Sequence, residues 1–177
     1  MNLRKQILKE QSKANCHAIV KYIGDSPKRF SQLINIYLAG PYRVTQRAAW
    51  PISVCAEKSP QLITPHLKKL LDFVTKPGVH VAVKRNTLRL LQFINIPKKF
   101  HGRVAEIGFN FLNDKSETVA VQVFAMTALS KVIKDEPTLA NELRIIIEDR
   151  MPYASAGFRS RGAKILKEIK GGYVQNG

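Results

Sequence analysis

Prolines interrupt the chain at nearly regular intervals, and this spacing limits which folds the sequence can adopt. The intervals are 33, 37 and 40 residues, between Pro27, Pro60, Pro97 and Pro137. A second series of breaks lies between them, at residues 39–43 (AGPYR), 75–79 (TKPGV), 113–117 (NDKSE) and 150–155 (RMPYAS). Because proline has no backbone N–H to donate and disfavours helical geometry in the residue before it, each break ends one helix and lets the next begin. The sequence therefore predicts consecutive pairs of helices.

The apolar residues between the breaks follow helical spacing. In one segment they recur at intervals of three and four, at Leu67, Leu70, Leu71 and Val74. That spacing places them along one side of an α-helix. The first helix of each pair is predicted to have about 12–15 residues and the second about 14–17.

The second helices of the pairs can be aligned with one another. The aligned segments begin at offsets of about 37–39 residues, at Val44, Val83, Val121 and Phe158. An incomplete earlier copy begins at Ser12. Small residues recur at the fifth and sixth aligned positions, and we expect Ala49, Ala125 and Ala163 to be buried where neighbouring helices touch. A two-helix unit that repeats at this interval is typical of a helical solenoid.

Two of the aligned segments, VTQRAAWPISVC from Val44 and FRSRGAKILKEI from Phe158, resemble the second helix of HEAT repeats, which have an armadillo-type fold. The resemblance covers about residues 28–170. It implies an all-α fold, a right-handed α–α superhelix of about four helix pairs plus an N-terminal helix. Residues 1–170 are predicted to form this single domain, followed by a flexible C-terminal tail at 171–177. Val119 offers a competing alignment, so the repeat register around residues 113–121 stays open.

Acidic residues are nearly absent from the predicted second helices. The chain has 29 Lys and Arg against 13 Asp and Glu, a formal net charge of +16. No acid occurs within residues 26–56, 73–105, 118–134 or 150–167, and these windows contain the second helices. The resemblance to HEAT repeats implies that second helices line the concave side of the solenoid. That side is therefore predicted to be basic and to attract an anionic partner.

The predicted partner-binding residues are those of the basic side, namely Arg43, Arg47, Trp50, Lys84, Arg85, Arg89, Arg159 and Arg161. Arg85 and Arg89 are four residues apart and so share one side of a helix, as Arg43 and Arg47 do. Trp50 is interpreted either as a core or groove-edge residue or as an aromatic platform that stacks a base. A generic basic surface without a dedicated partner remains the alternative.

The sequence contains no motif that indicates catalysis. Glycine-rich nucleotide-binding loops, a P-loop and a G-x-S-x-G motif are all missing. Cys16 and His17 are adjacent, and neighbouring helical residues point about 100° apart, so no metal or other cofactor is predicted. DNA alkylation repair glycosylases are also HEAT-like, but they need a carboxylate near an aromatic base pocket, and no acid lies three or four residues from Trp50. The chain is therefore predicted not to be an enzyme, with a glycosylase as a further alternative.

The predicted function is a non-catalytic binding or scaffold protein whose basic concave face holds an acidic protein or another anionic partner. The alternative is a nucleic-acid-binding protein that contacts phosphates without strong sequence specificity. Cys16 and Cys55 lie in apolar helical segments, which favours buried thiols in a reducing compartment. Because no secretory signal or membrane-spanning apolar run is present, we expect a cytoplasmic protein without membrane insertion. The sequence leaves the oligomeric state open.

Overall fold

A computed structural model describes residues 1–172 of the chain. Ten α-helices occur in these residues: α1 (Leu3–Lys9), α2 (Lys13–Ile23), α3 (Pro27–Ala39), α4 (Tyr42–Lys58), α5 (Leu67–Val74), α6 (Val81–Leu91), α7 (His101–Asn113), α8 (Val119–Ile133), α9 (Ala140–Arg150) and α10 (Ala156–Gly172). Residues 1–172 contain no β-strand, and the predicted all-α fold is confirmed. Gly171 and Gly172 end α10, whereas the other residues of the predicted flexible tail, 173–177, lie outside the described residues.

The predicted breaks lie at the ends of helices. Pro27 is the first residue of α3, where its missing N–H has no helical partner to lose. Ser26 caps this helix by accepting a backbone N–H from its first turn. Pro41 directly precedes α4, and Pro60 and Pro137 each begin a short 3-10 turn ahead of α5 and α9. The two interleaved series of breaks therefore separate the helices as predicted.

The N-terminal segment forms a complete helix pair. α1 precedes α2, and α2 coincides with the incomplete copy recognised at Ser12. The buried Asn15 donates through Nδ2 to the backbone oxygens of Gln6 (2.9 Å) and Glu10 (2.7 Å), which fixes the turn between the two helices. The described residues thus contain five helix pairs, where the sequence predicted about four pairs and one helix. The seven-residue α1 buries only two side chains and is too short to show a periodic pattern.

The chain divides into two compact units, Met1–Asn95 and Ile96–Gly177. In the first unit α4 packs against α2, α3 and α6, and α5 packs against α6. In the second unit α8 packs against α7 and α10, and α9 packs against α10. Second helices are therefore neighbours within each unit. The division into one domain and a tail stays a prediction.

Small residues mark the places where helices approach closely. Ala49 and Ala125, which were expected to be buried, are 2% and 0% exposed. The same prediction for Ala163 is wrong, because that residue is exposed. Its neighbour Gly162 is buried instead, and a Cβ atom at Gly162 would lie 2.8 Å from Cγ2 of Ile147 in α9. The close contact between α9 and α10 is thus one residue away from the aligned alanine.

The replacement Ala125→Leu is expected to lower the free energy of unfolding by about 1–3 kcal/mol, because a fully buried position has no space for a larger side chain. Thermal unfolding followed by circular dichroism should show a lower Tm. The matched control is Ala163→Leu, since an exposed site should tolerate the same change within about 0.5 kcal/mol. Equal Tm values for Ala125→Leu and the wild type would contradict this packing.

Candidate functional site

The predicted partner-binding residues are divided between the two units. The first unit contains six of them: Arg43, Arg47 and Trp50 on α4, and Lys84, Arg85 and Arg89 on α6. The second unit contains Arg159 and Arg161, both on α10. Because α4 and α6 pack along each other, the six residues of the first unit belong to one pair of adjacent helices.

Positive charge is concentrated in the first unit. Residues 1–95 contain 16 Lys and Arg and four Asp and Glu, a formal net charge of +12. Residues 96–177 contain 13 and nine, a formal net charge of +4. The second helices of the first unit hold a single acid, Glu57 in the last turn of α4. We define the basic face as the side chains of Arg43, Arg47, Lys84, Arg85 and Arg89.

Contacts at two levels hold α4 and α6 side by side. Near their N-terminal ends the ring of Tyr42 packs edge-on against the ring of His80, with centroids 5.1 Å apart and planes at 82°. Further along, Oγ of Ser53 in α4 donates to Oδ1 of Asn86 in α6 at 3.1 Å, and both side chains are buried. The two helices therefore run in the same direction, and their N-terminal ends are neighbours.

Arg89 is held by groups of α4. Its Nη1 donates to Oγ of Ser53 and its Nη2 to Oε2 of Glu57, both at 2.8 Å. The guanidinium carbon also lies 5.1 Å from the centroid of the Phe93 ring. Only 26% of the Arg89 side chain is exposed. This arginine stabilises the packing of α6 on α4, and Glu57 offsets part of its charge.

Arg47 contacts the end of α1. Its Nη1 donates at 2.8 Å to the backbone oxygen of Leu8, one of the terminal carbonyls that a helix leaves without an internal partner. Trp50 is half-buried, and together with Pro51 it lines a cavity of about 10 Å³ beside the turn between α1 and α2. A cavity of this size has room for no more than about one water molecule. Within residues 1–172 Trp50 has no cation–π contact with Arg47, so the two do not form a stacking platform there.

Arg43 and Arg85 differ from these two arginines because both are exposed. Within residues 1–172 neither has a hydrogen-bond or ion-pair partner. Arg43 lies in the first turn of α4, and Arg85 is the fifth residue of α6. Lys84, next to Arg85, is half-buried. Two charges of the basic face, those of Arg43 and Arg85, are therefore not offset by a partner within residues 1–172. Both arginines lie near the adjoining N-terminal ends of α4 and α6.

In the second unit Arg159 and Arg161 lie on α10. Arg159 donates to a backbone oxygen of the preceding turn at 2.7 Å, and Arg161 is half-buried. Arg150, which was not among the predicted residues, links three helices of this unit. It donates to the backbone oxygen of Leu112 and, at 2.8 Å, to Oε1 of Gln122. Its partners come from α7 and α8, and nothing in the local sequence signals them.

The two cysteines are buried and free. Burial raises the pKa of Cys16 to about 11 and that of Cys55 to about 12. Both thiols therefore stay protonated at neutral pH and are poor nucleophiles. In the described part of the chain no cluster of His, Cys, Asp and Glu has the arrangement of a metal site. No helix among these residues is long and apolar enough to cross a membrane.

The repeated pairs and the adjoining second helices define a helical-repeat protein. A family model for the HEAT repeat domain matches residues 3–169, and the chain belongs to this family. The match begins at α1, in agreement with the N-terminal helix pair. No curated protein and no solved structure gave a significant match to the chain. HEAT repeat proteins are generally non-catalytic scaffolds that mediate protein interactions, so the family supports a binding protein.

Proposed function

We propose that this protein is a non-catalytic scaffold and that the basic face of its first unit binds an acidic protein. The main support is the net charge of +12 on residues 1–95, where the second helices hold one acid. That acid, Glu57, is already bound to Arg89. Within residues 1–172 Arg43 and Arg85 have no hydrogen-bond or ion-pair partner, so their charge attracts carboxylates of a ligand and speeds encounter with it.

Nucleic acid is the second candidate partner, because the same positive charge attracts phosphates. Binding of this kind is only weakly dependent on sequence, since phosphate contacts position a protein without reading bases. An acidic protein is preferred for two reasons. HEAT repeats mediate protein interactions, and Trp50, the residue best suited to stack a base, is half-buried beside a cavity of about 10 Å³.

The test is capture of partners on the immobilised protein from a native cytoplasmic lysate, with and without nuclease. A cytoplasmic source fits the two free thiols, which are typical of a reducing compartment. We expect a protein partner that survives nuclease treatment and elutes between about 0.2 and 0.5 M salt, because salt screens exposed charges. Loss of all captured protein after nuclease, with a high 260/280 nm absorbance ratio before it, would favour nucleic acid. Capture that resists high salt would contradict an electrostatic site.

A further inference from the structure

Most of the exposed large apolar side chains of the described chain lie where second helices begin. Seven such side chains are exposed in residues 1–172, and four of them share this position: Tyr42 (62%), Val81 (38%), Val119 (44%) and Tyr153 (93%). Three are the first residues of α4, α6 and α8, and Tyr153 lies three residues before α10. Apolar side chains grouped on a surface that is otherwise charged are typical of interaction sites.

In the first unit two of these residues, Tyr42 and Val81, begin the adjacent helices α4 and α6. The Tyr42 ring contacts the ring of His80, and Val81 is the next residue along the chain. The His80 ring is itself fixed, because its Nδ1 accepts the backbone N–H of Ala82 at 2.9 Å. Tyr42 and Val81 therefore stand at the adjoining N-terminal ends of α4 and α6, and we call these two exposed side chains the apolar patch. Pre-ordered side chains lose less conformational entropy when a partner binds.

Cations follow both residues of the apolar patch along their helices, and α4 and α6 begin without an acid. Arg43 directly follows Tyr42. Lys84 and Arg85 follow Val81 by three and four residues, which places them on the same side of α6 as Val81. The first turns of α4 and α6 hold no acidic residue. The apolar patch thus lies at the same end of the helix pair as Arg43 and Arg85, which have no hydrogen-bond or ion-pair partner among residues 1–172.

We propose that the partner is an acidic protein segment in which apolar side chains stand next to carboxylates. The apolar side chains cover Tyr42 and Val81, while the carboxylates pair with Arg43 and Arg85. This inference rests on the proposed function and names the chemistry of its ligand. A peptide fits better than single-stranded nucleic acid, because Val81 offers no ring for a base to stack on and the Tyr42 ring already contacts His80.

The second unit supplies a matched control. Tyr153 also follows a proline and also lies beside a valine, Val119, in a shared cavity. That cavity is lined by two acids, Glu117 and Asp149, as well as by basic residues. It therefore lacks the one-sided charge of the apolar patch. Replacing Tyr153 removes a tyrosine that is even more exposed than Tyr42, at 93% against 62%, without changing the proposed site.

The experiment compares two labelled peptide pools by fluorescence anisotropy. Both pools are 12-mers with glutamate at every second position; the other positions are Leu, Ile and Phe in one pool and Ser, Thr and Gly in the second. We expect the wild type to bind the acidic–apolar pool about tenfold more tightly than the acidic–polar pool, the size of effect that one buried apolar anchor gives. In Tyr42→Ser/Val81→Ser the two pools should bind equally, with affinity for the acidic–polar pool unchanged. Tyr153→Ser should behave as the wild type.

The variants separate failure of this inference from failure of the proposed function. Equal binding of both pools to the wild type overturns the inference and leaves the proposed function intact. Equal loss of selectivity in Tyr153→Ser and in Tyr42→Ser/Val81→Ser also overturns it. The affinity of each pool for the wild type is also compared with its affinity for Arg43→Glu/Arg85→Glu. If the wild type is not the tighter binder for either pool, the proposed function itself fails. If a 20-nucleotide oligo-dT binds the wild type more tightly than either peptide pool does, the ligand is nucleic acid and the inference is wrong.

Discussion

Replacing Arg43 and Arg85 together by glutamate is expected to raise the Kd for a labelled acidic peptide by about a hundredfold at low salt, because two attractive charges become repulsive. Neither arginine has an internal partner within residues 1–172, so the fold should not change. Circular dichroism and thermal unfolding check that condition. Fluorescence anisotropy at 50, 100 and 200 mM salt measures the Kd, and the salt dependence should become weaker in the variant.

The control is Lys28→Glu/Lys69→Glu, which alters the net charge of the protein by the same amount. Lys28 lies on α3 and Lys69 on α5, both first helices, and both side chains are exposed. We expect less than about a fivefold change in Kd, because only long-range attraction is reduced. Equal losses in the two double variants would mean that overall charge alone governs binding. The basic face would then be an ordinary charged surface.

The order of helices was predictable because the residues that set it act through their own backbone. Pro27 and Pro41 limit helices in any surroundings, since proline fixes its own φ angle and lacks an N–H. The spacing of apolar residues is also a local property, which each helix displays before it packs. The exception is α1, whose short length gives no periodic signal and whose turn depends on the buried Asn15.

The residue that lies at each helix–helix contact was less predictable, because it depends on how the two helices are oriented relative to each other. The alignment selected Ala163, whereas Gly162 is the residue that faces Ile147. A helix turns by about 100° per residue, so a shift of one position moves a side chain from an interface to the solvent. The sequence shows that small residues cluster at this point of α10. It does not show the rotation of α10 relative to α9.

The basic face was likewise predictable as a set of charges but not as a set of contacts. The sequence places Arg47 and Arg89 beside Arg43 and Arg85 without distinguishing them. Arg47 binds an oxygen 39 residues away, and the carboxylate of Glu57 is 32 residues from Arg89. Such partners are brought together only by the tertiary structure. Only the packing of α1, α4 and α6 therefore distinguishes the arginines that stabilise the fold from those available to a ligand.

This distinction predicts that Arg89→Glu destabilises the protein strongly, whereas Arg85→Glu does not. Replacing Arg89 removes hydrogen bonds to Ser53 and Glu57, and it places a second carboxylate beside Glu57 in a largely buried position. We expect the free energy of unfolding to fall by about 2–3 kcal/mol, because charged hydrogen bonds are lost and like charges repel. The exposed Arg85→Glu should stay within about 0.5 kcal/mol of the wild type.

Thermal and urea unfolding of the two single variants provide the measurement, with a Tm decrease of about 5–10 °C expected for Arg89→Glu. The charge-swapped double variant Glu57→Arg/Arg89→Glu tests the cause, because it restores an opposite-charge pair between α4 and α6. We expect it to recover part of the lost stability, and with the single variant Glu57→Arg it completes a double-mutant cycle that isolates the coupling between the two side chains. Equal stability of Arg89→Glu and Arg85→Glu would show that Arg89 does not hold α6 on α4. Arg89 would then belong with Arg43 and Arg85 among the charges available to a partner.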